Sequence, residues 1–210
     1  MVFYKYNKGD ENMEKPFSFF LVTDTHYYDS SFKRTGEAYE KRSKTDQKCV
    51  AETPAIIDAG FEQIAQDKDT NVILIPGDLV YRGEYQSHIG FRERLYKLKE
   101  QGKKIYLITA RHDYCEDGDC KDFKGLWDDQ MHWALDEIKK AHEAGDYIFA
   151  MTHYPLLPFS PIMNLIGDAK LTDWEKRANE FADAGLDLIF TGHMHAQAIT
   201  DYTTEKGNII

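Results

Sequence analysis

Five short stretches of this chain carry side chains able to do chemistry together: Asp24-Thr25-His26, Gly77-Asp78, His112-Asp113, His153 and Gly192-His193-Met194-His195. Aspartate and histidine mixed in this way are the ligands that a borderline divalent metal prefers. A carboxylate shared between two ions is the economical way to hold a pair at roughly 3.5–4 Å. Histidine also titrates near neutral pH, so one left outside the coordination shell can carry a proton. Five of the eight histidines fall in these stretches. The other three, His88, His132 and His142, sit in helical patterns and read as solvated side chains.

Each stretch directly follows an apolar run. The runs cover residues 17–23 (FSFFLVT), 72–75 (VILI), 104–109 (KIYLIT), 147–152 (YIFAMT) and 188–191 (LIFT). Short, near-continuous apolar segments rich in β-branched and aromatic residues read as strands of a sheet covered on both faces. Helical spacing appears between them, over residues 50–66, 84–101 and 130–144. A last helix opens at Thr172-Asp173-Trp174-Glu175, a capping-box pattern, and stops at Gly185. Strands alternating with helices predict an α/β class with a mostly parallel sheet. Ligands collect at the carboxyl ends of such strands, so the five stretches are expected to meet in one crevice. Residues 29–47 and 154–170 read as loops. The first, with Lys33, Arg34, Tyr39 and Arg42, either overhangs that crevice or is plain solvated surface. In the second, Phe159, Ile162 and Met163 either line a pocket beside His153 or pack the loop onto the core.

The order D-x-H, G-D, H-D, H, G-H-x-H resembles that of the calcineurin-like metallophosphoesterases, from about Asp24 to His195. The resemblance implies an α/β/β/α sandwich and two divalent ions of Mn, Fe or Zn. It implies one metal held by Asp24, His26 and His195, a second by His153 and His193, and Asp78 bridging both. His112 would be the general acid, oriented by Asp113. The chemistry agrees with these residue types: two cations neutralise an anionic phosphate ester and acidify a water, while a histidine protonates the leaving oxygen. A carboxylate beside that histidine is expected to raise its pKa. The implied substrate is a small phosphomonoester or phosphodiester. A catalytically impaired binding or scaffold protein on the same fold is the alternative.

Two features depart from the family pattern. Its members read G-N-H-D or G-N-H-E where this chain has Ala110-Arg111-His112-Asp113. The asparagine lends a neutral carbonyl oxygen to the second metal, and arginine, with donors only, cannot. Arg111 either binds a substrate phosphate oxygen in its place, swings away and leaves the position to water, or weakens the second metal site. The second departure is missing strands. No apolar strand separates Asp113 from the helical pattern at Gln130, and beyond residue 203 little remains, with only the weak run 197–203 before it. The second sheet is therefore expected to be incomplete, and an exposed sheet face would favour oligomers.

With 210 residues, one domain spanning 1–210 is expected. Hydrophobic residues at 42% and aromatics at 13% indicate a globular chain. A formal net charge of -10, with no basic tract, argues against binding a nucleic-acid backbone. Cys49, Cys115 and Cys120 form no C-x-x-C pair; they read as free thiols, with a Cys115–Cys120 disulfide or metal contact as the alternative. The first fifteen residues lack the apolar core of a signal peptide, and no run is long enough to span a membrane, so a cytoplasmic protein is expected.

Overall fold

A computed structural model describes residues 2–7, 17–46, 48–114, 126–165 and 169–210. In chain order the elements are β1 (Val2–Asn7), β2 (Phe19–Leu21), α1 (Glu37–Thr45), α2 (Thr53–Gln66), β3 (Val72–Pro76), α3 (Tyr85–Glu100), β4 (Lys104–Ile108), α4 (Asp128–Glu143), β5 (Asp146–Met151), α5 (Trp174–Ala184) and β6 (Leu188–Phe190). They fall into two compact units, Phe17–Cys120 and Met1–Pro16 with Lys121–Ile210.

In the first unit, β2, β3 and β4 form a parallel sheet with β3 in the middle. All five residues of β3 (VILIP) are buried, which is why the strand is apolar without alternation. Ile57, Phe61 and Ile64 recur at helical spacing on α2, and Phe91 and Leu98 do so on α3. These residues pack with Ile73, Ile75, Tyr27, Leu79 and Val80 into one core. Lys103, also buried, donates from Nζ to the carbonyls of Asp67 (2.7 Å) and Thr70 (2.6 Å), closing the turn that follows α2.

The second unit holds a three-stranded sheet in the order β1-β5-β6, with β1 antiparallel and β6 parallel to β5. Met131, Ala134, Ile138 and Ala141 form the inner stripe of α4, and Ala178, Phe181 and Ala182 that of α5. Ile148, Ala150, Leu156, Leu171, Leu186 and Ile210 complete this core. Gly185 ends α5 in the left-handed region (φ 95°), as the stop signal in the sequence predicts.

The small second sheet and the mostly parallel pairing agree with expectation: the strands lie in two sheets of three, and three of the four strand pairings among the described residues are parallel. Other expectations change. Strand β1 joins the second sheet from a segment the sequence did not mark as a strand. The polar stretch 29–47 contains α1, a helix with no apolar stripe to announce it. Asp173, not Thr172, precedes α5, without a side-chain capping bond. Its carboxylate instead takes the guanidinium of Arg177, which is also paired with Glu180 and buried. Residues 197–200 form no strand; an isolated antiparallel bridge joins Thr203 to Ile209. Residues 115–125, where family strands would be inserted and where Cys115 and Cys120 fall, lie outside the described residues.

Candidate metal centre

Beyond β2 the chain keeps company with the loop that follows β3. The amides of Asp24, His26 and Tyr27 donate to the carbonyls of Gly77, Asp78 and Leu79, and Tyr81 N–H returns a bond to the carbonyl of Tyr27. Thr25 Oγ1 adds a bond to the Leu79 carbonyl at 2.7 Å. The two loops thus continue the parallel pairing of the strands and set Asp24, His26 and Asp78 side by side. The third loop, after β4, becomes a single 3-10 turn over Arg111–Asp113. It is laced to the second loop by His112 N–H donating to Asp78 Oδ1 (3.1 Å). The Asp113 carboxylate accepts the amides of Leu79 (2.8 Å), Val80 (3.0 Å) and Ala110 (2.8 Å).

The result is a cluster of donor atoms. One ligand atom each from His26, Asp78 and His112 lie within 4.8 Å of one another, and Asp24 comes within the same distance of His26 and of Asp78. His26 and Asp78 are buried, with Nε2 of the one 3.7 Å from Oδ2 of the other. Imidazole nitrogens and carboxylate oxygens at this separation can share one ion at bonds of about 2.0–2.2 Å, so the residues fit a divalent metal.

The backbone at these residues is unusual. Six described non-glycine residues have positive φ, and five of them are predicted ligands: Asp24 (52°), His26 (41°), Asp78 (52°), His193 (73°) and His195 (48°). The left-handed region disfavours side chains bearing a Cβ, and such strain concentrates at functional sites. In the second unit, His153 follows β5, and His193 and His195 follow β6. Gly192 N–H donates to the His153 carbonyl at 2.9 Å, joining the two loops. The rings of His153 and His193 approach to 5.4 Å between centroids, while His195 is exposed. Met163, buried, packs with the core and Ile162 is exposed, so that loop supplies packing more than pocket.

His112 is held differently from expectation. Its Nδ1 donates to the Tyr81 carbonyl at 2.8 Å, and its Nε2 lies 3.0 Å from Lys48 Nζ. A carbonyl only accepts, so the ring's proton sits on Nδ1 and Nε2 takes the bond from Lys48. Orientation therefore comes from Tyr81, whereas Asp113 holds backbone. The pKa of His112 is also depressed rather than raised: burial and the Lys48 ammonium outweigh Asp78 and the Tyr81 bond, and Arg111 adds to the depression. Burial pushes Asp113 up and Lys48 down. Arg111 opens the 3-10 turn and is half-buried.

Sequence reasoning missed Lys48, Tyr81, Asp46 and His88. Tyr81 donates its hydroxyl to Asp46 at 2.7 Å, and His88 Nε2 lies 2.9 Å from the Asp113 carbonyl. None of the four stands in a motif, and only the folded loops bring Lys48 and Tyr81 to His112, His88 to Asp113 and Asp46 to Tyr81.

An α/β fold that delivers clustered aspartates and histidines beyond its strand ends defines a metal-binding hydrolase scaffold. The chain belongs to the calcineurin-like phosphoesterase family, whose model matches residues 17–197. No curated protein matches the sequence. No helix among the described residues is long and apolar enough to cross a membrane.

Proposed function

We propose that the protein hydrolyses small phosphate esters, mono- or diesters, at a dinuclear centre of Mn, Fe or Zn. The observation that carries this reading is the left-handed backbone at five predicted ligands, a cost that folding would not retain without a role for those side chains. The reading treats 1–210 as one catalytic domain. Asp24, His26 and His195 would hold one ion, His153 and His193 the other, and Asp78 would bridge. When bound, the ions neutralise the ester and acidify the attacking water. That water's oxygen bonds to phosphorus as the bond to the leaving oxygen breaks with its electron pair. His112, its ring fixed by Tyr81 and first charged by a solvent proton at Nε2, passes that proton to the leaving oxygen, and the water's proton goes to solvent. The depressed pKa of His112 makes that donation easier once the ring is charged. Asp113 keeps the Asp78 loop and the His112 turn in register. Arg111 would hold a phosphate oxygen, leaving the second metal more weakly bound. The exposed free thiol of Cys49 agrees with a reducing cytoplasm.

The test is hydrolysis of chromogenic phosphate mono- and diesters with Mn2+ and again with a chelator. Turnover that requires the metal, and a His112→Ala loss of about 10²–10⁴ in kcat, is expected. A folded protein without turnover under any divalent metal would instead mark a binding protein on this fold.

A further inference from the structure

Lys48 is the one cation in hydrogen-bond contact with His112 among the described residues, and the fold holds it there deliberately. Tyr81 is the hub. Its carbonyl fixes Nδ1 of His112, its hydroxyl bonds Asp46, and its ring lies 5.7 Å beneath the Lys48 ammonium. Asp46 in turn accepts the backbone N–H of Lys48 at 3.2 Å, closing an Asx turn directly after α1. The carboxylates of Asp46, Asp78 and Asp24 act on the ammonium as opposite charges, and Arg82 acts as a like charge. Nε2 is the only ring nitrogen left to His112 for a leaving group, and Lys48 sits on it.

We propose that Lys48 is a substrate-contacting cation, taking an anionic oxygen of the phosphate ester on the leaving-group side of His112. The inference rests on the phosphoesterase reading above and adds no covalent step to it. As the ester enters, Nε2 turns from Lys48 to the leaving oxygen, and the ammonium passes to an oxygen beside it. Four rotatable bonds permit that exchange within one pocket wall. The same charge has a second effect. A cation in the field of Asp24 and Asp78 repels a metal held by them, so Lys48 lowers metal affinity while raising anion affinity. A residue that merely props His112 in place would favour both.

The opposite signs give the test. Mn2+ is titrated into the wild-type protein and into Lys48→Met, Lys48→Gln and Lys48→Arg by calorimetry. Inorganic phosphate is then titrated into each Mn2+-saturated protein. Lys48→Met should bind Mn2+ about fivefold more tightly and phosphate on the order of tenfold more weakly. Lys48→Arg, which keeps the charge, should restore both constants to near wild type. If circular dichroism shows Lys48→Met misfolded, Lys48→Gln reads the same two constants. Weakening of both ligands, or no change in phosphate binding, overturns the role of Lys48 while leaving the phosphoesterase reading intact. A wild-type protein that takes up no Mn2+ overturns that reading, and this inference with it.

Discussion

Both oxygens of Asp113 are occupied by backbone amides, those of Leu79 and Val80 on one and Ala110 on the other. Three buried N–H groups thus depend on one carboxylate. Asp113→Asn puts an amide donor against at least one of them, and a buried unmet donor costs about 1–3 kcal/mol. Urea unfolding should show an unfolding free energy lower by that amount, read as a lower midpoint at an unchanged slope. At Arg111 the expected change lies in metal content. Arg111→Asn supplies the neutral oxygen that arginine lacks. Elemental analysis after reconstitution should show a higher metal-to-protein ratio, and an unchanged ratio would place Arg111 away from the second metal. The predicted ligand residues were readable because each lies in a short stretch directly after an apolar run. Lys48 was not, because its contact with His112 spans 64 positions.

Helix α3 meets the loop after β2 at Gly90. A Cβ there would come within 2.4 Å of Asp29 Oδ2 and 2.8 Å of the Tyr27 hydroxyl. Those two atoms are bonded to each other at 2.8 Å, and Arg94 on the same helix donates to the hydroxyl at 2.8 Å and pairs with Asp58 of α2. Gly→Ala in a helix ordinarily stabilises, but here the sign reverses. Gly90→Ala should cost about 1–3 kcal/mol by breaking this network, measured as a lower unfolding midpoint. The network also sets a pH dependence. Burial and the bond to Asp29 push the Tyr27 hydroxyl up to about 12 from 10.0. A group with a raised pKa in the folded state contributes stability that is complete below 10 and fades as the pH rises through 12. The stability advantage of the wild type over Tyr27→Phe should therefore shrink across that window in equilibrium unfolding. Helices α2 to α4 were legible from their apolar stripes, and α5 from the signals at its two ends. Helix α1 was not, since it carries charged residues on every turn and is tied down instead through Asp46 and Tyr81 just past its end.

For the protein as a whole, clustered carboxylates within a net charge of -10 repel one another until a cation enters. Mn2+ at a hundred times its Kd should stabilise the fold by roughly 2.7 kcal/mol, raising the melting temperature, and a chelator should reverse the shift. Family, fold class and strand ends were legible in the sequence alone. Apolar runs of strand length and the D-x-H, G-D, H-D and G-H-x-H signals are local patterns, and a local pattern survives in one dimension. The tertiary structure decided the pairing of β1 with β5, the left-handed turns at the predicted ligands, the diversion of Asp113 to backbone, and the seating of Lys48 on His112. Each of these depends on which distant groups a buried donor or acceptor finds once water is excluded, and spacing along the chain does not encode that choice.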